Sequence, residues 1–176
     1  MTKIEESRNE EARNQETRGE PHFASRNPRF NHVAMSLPPE LLDEEHRTLL
    51  KDFYGEVFGW HELPTLTEDR KRLVFQAYTI EQFVFLIADE PPMTCPRLDH
   101  FGISVGAESE LDDILTRARA FKARDDRVDI IDKHVDDHGM LAITSIYVRY
   151  LLPMMCEIQW WDYHEPRPGS KVGESE

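Results

Sequence analysis

Two stretches of the chain repeat one pattern of apolar and polar positions. Each opens with a short alternating segment, continues with an apolar stripe at spacings of three and four, and ends in three more short apolar runs. The first stretch predicts a strand over about 29–36. Pro38 and Pro39 then precede a helix over about 39–58, with Leu42, Leu49, Leu50, Phe53 and Val57 on one face and Gly59 as its stop. Strands are expected at about 60–64, 71–79 and 82–88, and Pro91, Pro92 and Pro96 mark a connection. The second stretch predicts a strand over about 99–105. Ser109 is placed to cap a helix reaching Ala123, with Asp112 in its first turn and Leu111, Ile114, Leu115, Ala118 and Phe121 as its buried stripe. Strands follow at about 128–135, 141–150 and 154–161. His32 and His100 open corresponding strands. Two βαβββ units predict an α+β domain of curved sheet with helices outside.

Composition sets the limits of this domain. Residues 1–28 are dominated by Glu, Arg, Asn and Gln and predict a disordered tail, and residues 164–176, with Pro166, Pro168, Gly169 and Gly173, predict a second. Residues 29–163 hold almost all of the apolar side chains, in modules of about 29–90 and 98–163. A net charge of −13 disfavours a nucleic-acid partner, because an acidic surface repels phosphates. No apolar run is long enough to span a bilayer, and residues 1–20 lack the apolar segment of a secretory signal. Cys95 and Cys156 form no CxxC pair and no disulfide framework. The expected location is cytoplasmic.

The candidate chemistry lies on three strands. Alternation puts His32, Ala34 and Ser36 opposite Val33 and Met35 in the first, and His100, Gly102 and Ser104 opposite Phe101, Ile103 and Val105 in the second. In the last strand Glu157, Gln159 and Trp161 oppose Cys156, Ile158 and Trp160. The apolar sides must pack on helices, which leaves His32, His100 and Glu157 on the small and polar sides. Two histidines and a carboxylate are a ligand set for a divalent metal with open positions. Taken singly, each is ordinary on the wet face of a sheet; the matching places of the two histidines point to a shared role. A proton acceptor for such a site could be His134, His138 or Tyr150. His134 and His138 also read as the end of a polar hairpin, and Tyr150 as a strand aromatic. Cys156 should be buried and unreactive.

These residues resemble the vicinal oxygen chelate superfamily of glyoxalase I, extradiol dioxygenases, fosfomycin-resistance thiol transferases and bleomycin-binding proteins. The resemblance covers residues 29–163. It is carried by Asn31-His32-Val33-Ala34, by Phe53-Tyr54-Gly55-Glu56-Val57-Phe58-Gly59-Trp60, by Leu98 to Val105, and by Cys156-Glu157-Ile158-Gln159-Trp160. It implies two βαβββ modules around a metal-binding cleft, with His32, His100 and Glu157 as ligands. Glyoxalase I usually adds a fourth ligand from the fourth strand, but Phe83-Val84-Phe85-Leu86-Ile87 offers none. Three ligands suit an extradiol-dioxygenase-like enzyme acting on a small substrate with vicinal oxygens. Iron(II) is the favoured metal, with manganese, nickel or zinc as others, and His134 and Tyr150 are the catalytic candidates. A glyoxalase-like lyase or isomerase, a thiol transferase, and a non-catalytic binding protein of the bleomycin-resistance type are the alternatives. The expected partners are a small-molecule substrate and a second copy in a homodimer. A turn with Asp-Pro and Gly before the last strand is common in relatives; Leu152-Pro153-Met154-Met155 stands here instead.

Overall fold

A computed structural model describes residues 30–164, so both expected tails, apart from His164, lie outside the described residues. The chain runs β1 (His32–Leu37), a 3-10 turn (Pro39–Leu42), α1 (Glu44–Phe58), β2 (His61–Glu62), β3 (Arg72–Gln76) and β4 (Phe83–Ala88). It then repeats as β5 (His100–Ser104), α2 (Glu108–Lys122), β6 (Asp129–Asp137), β7 (Leu141–Arg149) and β8 (Met155–Tyr163). The strands form two sheets of identical plan, β1-β4-β3-β2 and β5-β8-β7-β6. In each, the opening strand runs parallel to the last strand of its module and the other pairs are antiparallel. This is the expected α+β arrangement of two βαβββ modules.

Three details differ from the sequence reading, and each has a local cause. The helix expected from residue 39 breaks after Leu42, because the Asp43 carboxylate accepts from the His46 backbone N–H and restarts the chain as α1. α2 begins before Ser109. Its N-terminus is closed instead by Glu110, whose Oε2 accepts from the N–H groups of Gly106 (2.8 Å) and Ala107 (3.3 Å). The strand expected at about 60–64 shrinks to His61–Glu62. The stop at Gly59 holds: it sits at φ 73°, where a Cβ would be strained, and its N–H returns to the Gly55 carbonyl.

The apolar stripes of both helices face one continuous core. Leu50, Phe53, Tyr54 and Val57 of α1 join Leu111, Ile114, Leu115, Ala118 and Phe121 of α2 in a single buried cluster. Phe53 sits at its centre, edge-on to Phe121 (4.9 Å between centroids) and against Tyr150 (4.7 Å). Polar contacts tie the same seam. The Tyr54 hydroxyl donates to the Tyr150 carbonyl at 3.0 Å and accepts from its N–H at 3.3 Å. Arg117 Nε donates to the Val57 carbonyl. With this core filling the helix side, Val33, Met35 and Leu37 of β1 and Phe101, Ile103 and Val105 at β5 turn inward. The histidines, on the opposite parity, turn to the other side. Among the described residues no helix is long and apolar enough to cross a membrane.

Candidate metal centre

The second sheet assembles most of the candidate site. β5 and β8 run parallel with Gly102 opposite Glu157, and β7 lies on the other side of β8 with Tyr147 opposite Glu157. His100 Nε2 stands 3.2 Å from Glu157 Oε2. The other ring nitrogen of His100, Nδ1, lies 2.8 Å from the Leu98 carbonyl. A carbonyl only accepts, so Nδ1 carries a proton and donates. In a neutral ring Nε2 then presents a lone pair to a carboxylate oxygen, an arrangement that is repulsive unless a cation lies between them. That cation is either a proton or a metal. Two ligand atoms each about 2.1 Å from one ion, at roughly a right angle, lie about 3 Å apart, so the observed spacing fits a shared metal. The backbone clamp on Nδ1 is the usual outer contact of a metal-ligating histidine.

Glu157 is buried, and its second oxygen is occupied. The Tyr147 hydroxyl donates to Oε1 at 2.7 Å. Burial first, then this carboxylate, pushes the Tyr147 phenol up to about 12, so it keeps its proton at neutral pH. The Tyr147 ring in turn stacks on His134 (5.7 Å, 6° between planes) and meets His100 edge-on (5.2 Å). His134 therefore stands beside the site through Tyr147. Gly102 provides the floor: a Cβ built there would lie 3.7 Å from Glu157 Oε2, so a larger side chain would grow into the space beside the carboxylate.

His32 stands apart. It lies in the first sheet, with its ring stacked flat on Phe83 (4.8 Å, 1°) and Nδ1 2.9 Å from Asn31 Oδ1. Its Nδ1 is thus committed as in His100, which frees Nε2. Among the described residues no three His, Cys, Asp or Glu side chains come together to hold a metal, so His32 does not complete the His100–Glu157 pair within the chain.

Tyr150 does not join the site either. β7 ends at Arg149, and Tyr150 has the parity of Ile146 and Val148, which face the core. Its hydroxyl donates to Asp125 Oδ2 at 2.6 Å and is met by Arg127 Nη2 at 2.9 Å. Burial and Asp125 push its phenol well up, and the Arg127 guanidinium holds Asp125 well below the usual carboxylate range. This is a structural knot at the seam. Tyr147 is the tyrosine that sequence reasoning passed over. The signal was present in the pairing: β7 and β8 are joined by a short turn, so the residue facing Glu157 follows from the turn's centre. Cys156 is buried, as expected, and burial raises its thiol well above the ordinary range. Trp161 shares the side of Glu157 and Gln159, and its indole N–H donates to Gln159 Oε1.

No protein-family profile matches the chain, and no curated protein is similar to it. Solved structures are. One is a lactoylglutathione lyase from Agrobacterium tumefaciens, with 17% identity over 77% of this chain and 95% of that one and a TM-score of 0.53. Another is FosX, a genomically encoded fosfomycin resistance protein from Listeria monocytogenes, with 14% identity over 76% of this chain and 93% of that one and a TM-score of 0.51. The chain has the vicinal oxygen chelate fold. At such identities the likeness is one of fold.

Proposed function

We propose that this vicinal oxygen chelate protein is a divalent-metal-dependent enzyme, extradiol-dioxygenase-like, acting on a small molecule with oxygens on neighbouring carbons. The observation that carries the reading is the His100 Nε2–Glu157 Oε2 approach of 3.2 Å with Nδ1 already committed to a carbonyl. His32 of a second copy supplies the third ligand. Its Nδ1 is committed as in His100, which leaves Nε2 open, and the end of the first sheet that bears it exposes large apolar side chains. Tyr78 (81% exposed) and Ile80 (69%) lie in the turn leading into β4, whose first residue, Phe83, pairs with His32. Such a patch is suited to burial against another copy.

Two histidines and one carboxylate leave coordination positions open for substrate. An ion held there, iron(II) before manganese, nickel or zinc, would supply Lewis acidity and a template for the two substrate oxygens. The chain's own residues do the rest. Tyr147 holds its proton and steadies Glu157 through Oε1. His134, half-exposed and stacked on Tyr147, accepts a proton from a substrate hydroxyl.

The test is anaerobic purification followed by elemental analysis, with oxygen consumption on catechol as the activity readout. Near-stoichiometric iron with catechol-dependent uptake supports the reading. Bound nickel, zinc or manganese without oxygen chemistry would instead indicate a lyase or thiol transferase. An absence of metal would indicate a binding protein. Mixing the His32→Ala and Glu157→Ala chains tests the shared site. A mixed dimer regains one intact centre if His32 acts across copies, and none if it does not.

A further inference from the structure

We propose that the substrate carries an anionic group, a carboxylate or its equivalent, seated at Arg97 and Arg149 beside the His100–Glu157 pair. This deepens the reading above and rests on it. Arg149 lies on β7 two residues from Tyr147, so both side chains share the face that holds Glu157, about 7 Å apart along the strand. Arg97 lies three residues before His100, on the segment leading into β5. The two guanidinium groups converge on one carboxylate. Arg97 Nη2 donates to Asp129 Oδ1 at 2.7 Å, and Arg97 Nε and Arg149 Nη2 donate to Oδ2, each at 3.0 Å. Arg149 Nη1 donates to the Pro153 carbonyl at 3.3 Å.

Two cations on one carboxylate leave one positive charge uncancelled, in a chain of net charge −13. Donors remain as well: Arg97 Nη1 and Arg149 Nε have no partner among the described residues. The Arg97 side chain is 54% exposed while Asp129 is only 25% exposed, so the arginine reaches solvent and the carboxylate sits behind it. Asp129 thus acts as a bracket that fixes two planar forks, which suits bidentate recognition of a carboxylate. Met155 pairs with His100, and Arg149 follows Val148, which pairs with Cys156, so Arg149 and His100 flank Met155 on one face; the apolar Ile143 and Trp161 lie at the opposite end of that face.

Two measurements separate this proposal from the one it rests on. In metal-free protein, benzoate should shift the side-chain Nε–H resonances of Arg97 and Arg149, while benzyl alcohol should not. Absence of that shift overturns the anion subsite, whatever the metal content. In metal-loaded protein, 3,4-dihydroxybenzoate should bind about ten- to a hundredfold more tightly than catechol, the range for a charged hydrogen-bonded contact. The preference should collapse in Arg97→Gln. Equal binding of the two compounds by the parent, or a preference that survives both Arg97→Gln and Arg149→Gln, overturns the proposal. Failure of the parent to take up metal overturns the functional reading and leaves the benzoate result to decide the subsite.

Discussion

The first and second sheets share a strand plan, yet the same row of each holds different chemistry. In the second sheet, Gly102, Glu157 and Tyr147 lie side by side across β5, β8 and β7. The matching row of the first sheet is Ala34, Phe85 and Val74 across β1, β4 and β3. A carboxylate and a phenol in one module are a phenyl ring and an isopropyl group in the other. The opening histidine alone is kept in both, and in both its Nδ1 is held by a neighbour. The difference teaches where the two modules are constrained. The helix sides must fill one core and therefore match; the far sides carry no such demand. One module carries two of the three candidate ligands, and the other offers a single imidazole on an apolar wall.

The sharpest way to break this contrast is Glu157→Ala. It should abolish stoichiometric metal uptake while the circular dichroism of the fold is kept, since the lost group faces away from the core. A variant that binds metal as the parent does would remove the chemical distinction between the sheets. Next is Phe53→Ala, which should cost about 3–5 kcal/mol in denaturant unfolding, because the ring is fully buried between both modules. A much smaller loss would show that the core is not shared.

Tyr147→Phe comes third and should weaken metal binding about ten- to a hundredfold, the usual effect of losing a contact to a ligand. It also has a pH signature. The Tyr147 phenol is raised from 10.0 to about 12, so it favours the fold below pH 10, and that contribution fades as pH rises through 12. Between those values the parent should lose stability relative to the phenylalanine variant, and the variant's ultraviolet titration should lack one late phenolate. Smallest is Gly102→Ala. Its Cβ would make an ordinary 3.7 Å contact, so stability and metal content should stay within error.

The architecture was legible because helix stripes and strand alternation are local signals. Leu111, Ile114, Leu115, Ala118 and Phe121 could be named as buried from spacing alone, and all five are. Alternation also put His100 and Glu157 on a common side, where they meet. What escaped depended on pairing or on local competition. Tyr147 required the β7–β8 register, and Tyr150 has the parity of Ile146 and Val148, which face the core. Asp43 restarted a helix that the apolar pattern ran through. The place of His32 depends on how the modules pack, and that is set by contacts such as Phe53 with Phe121, far apart along the chain.

The Tyr54 hydroxyl serves as both donor and acceptor for the backbone of one residue ninety-six positions away. It does for two halves what a ladder bond does for two strands, and it does so where no water is available to substitute. Heating should therefore give one calorimetric peak in place of two, and a gene cut at the proline-rich joint should yield halves that are insoluble apart.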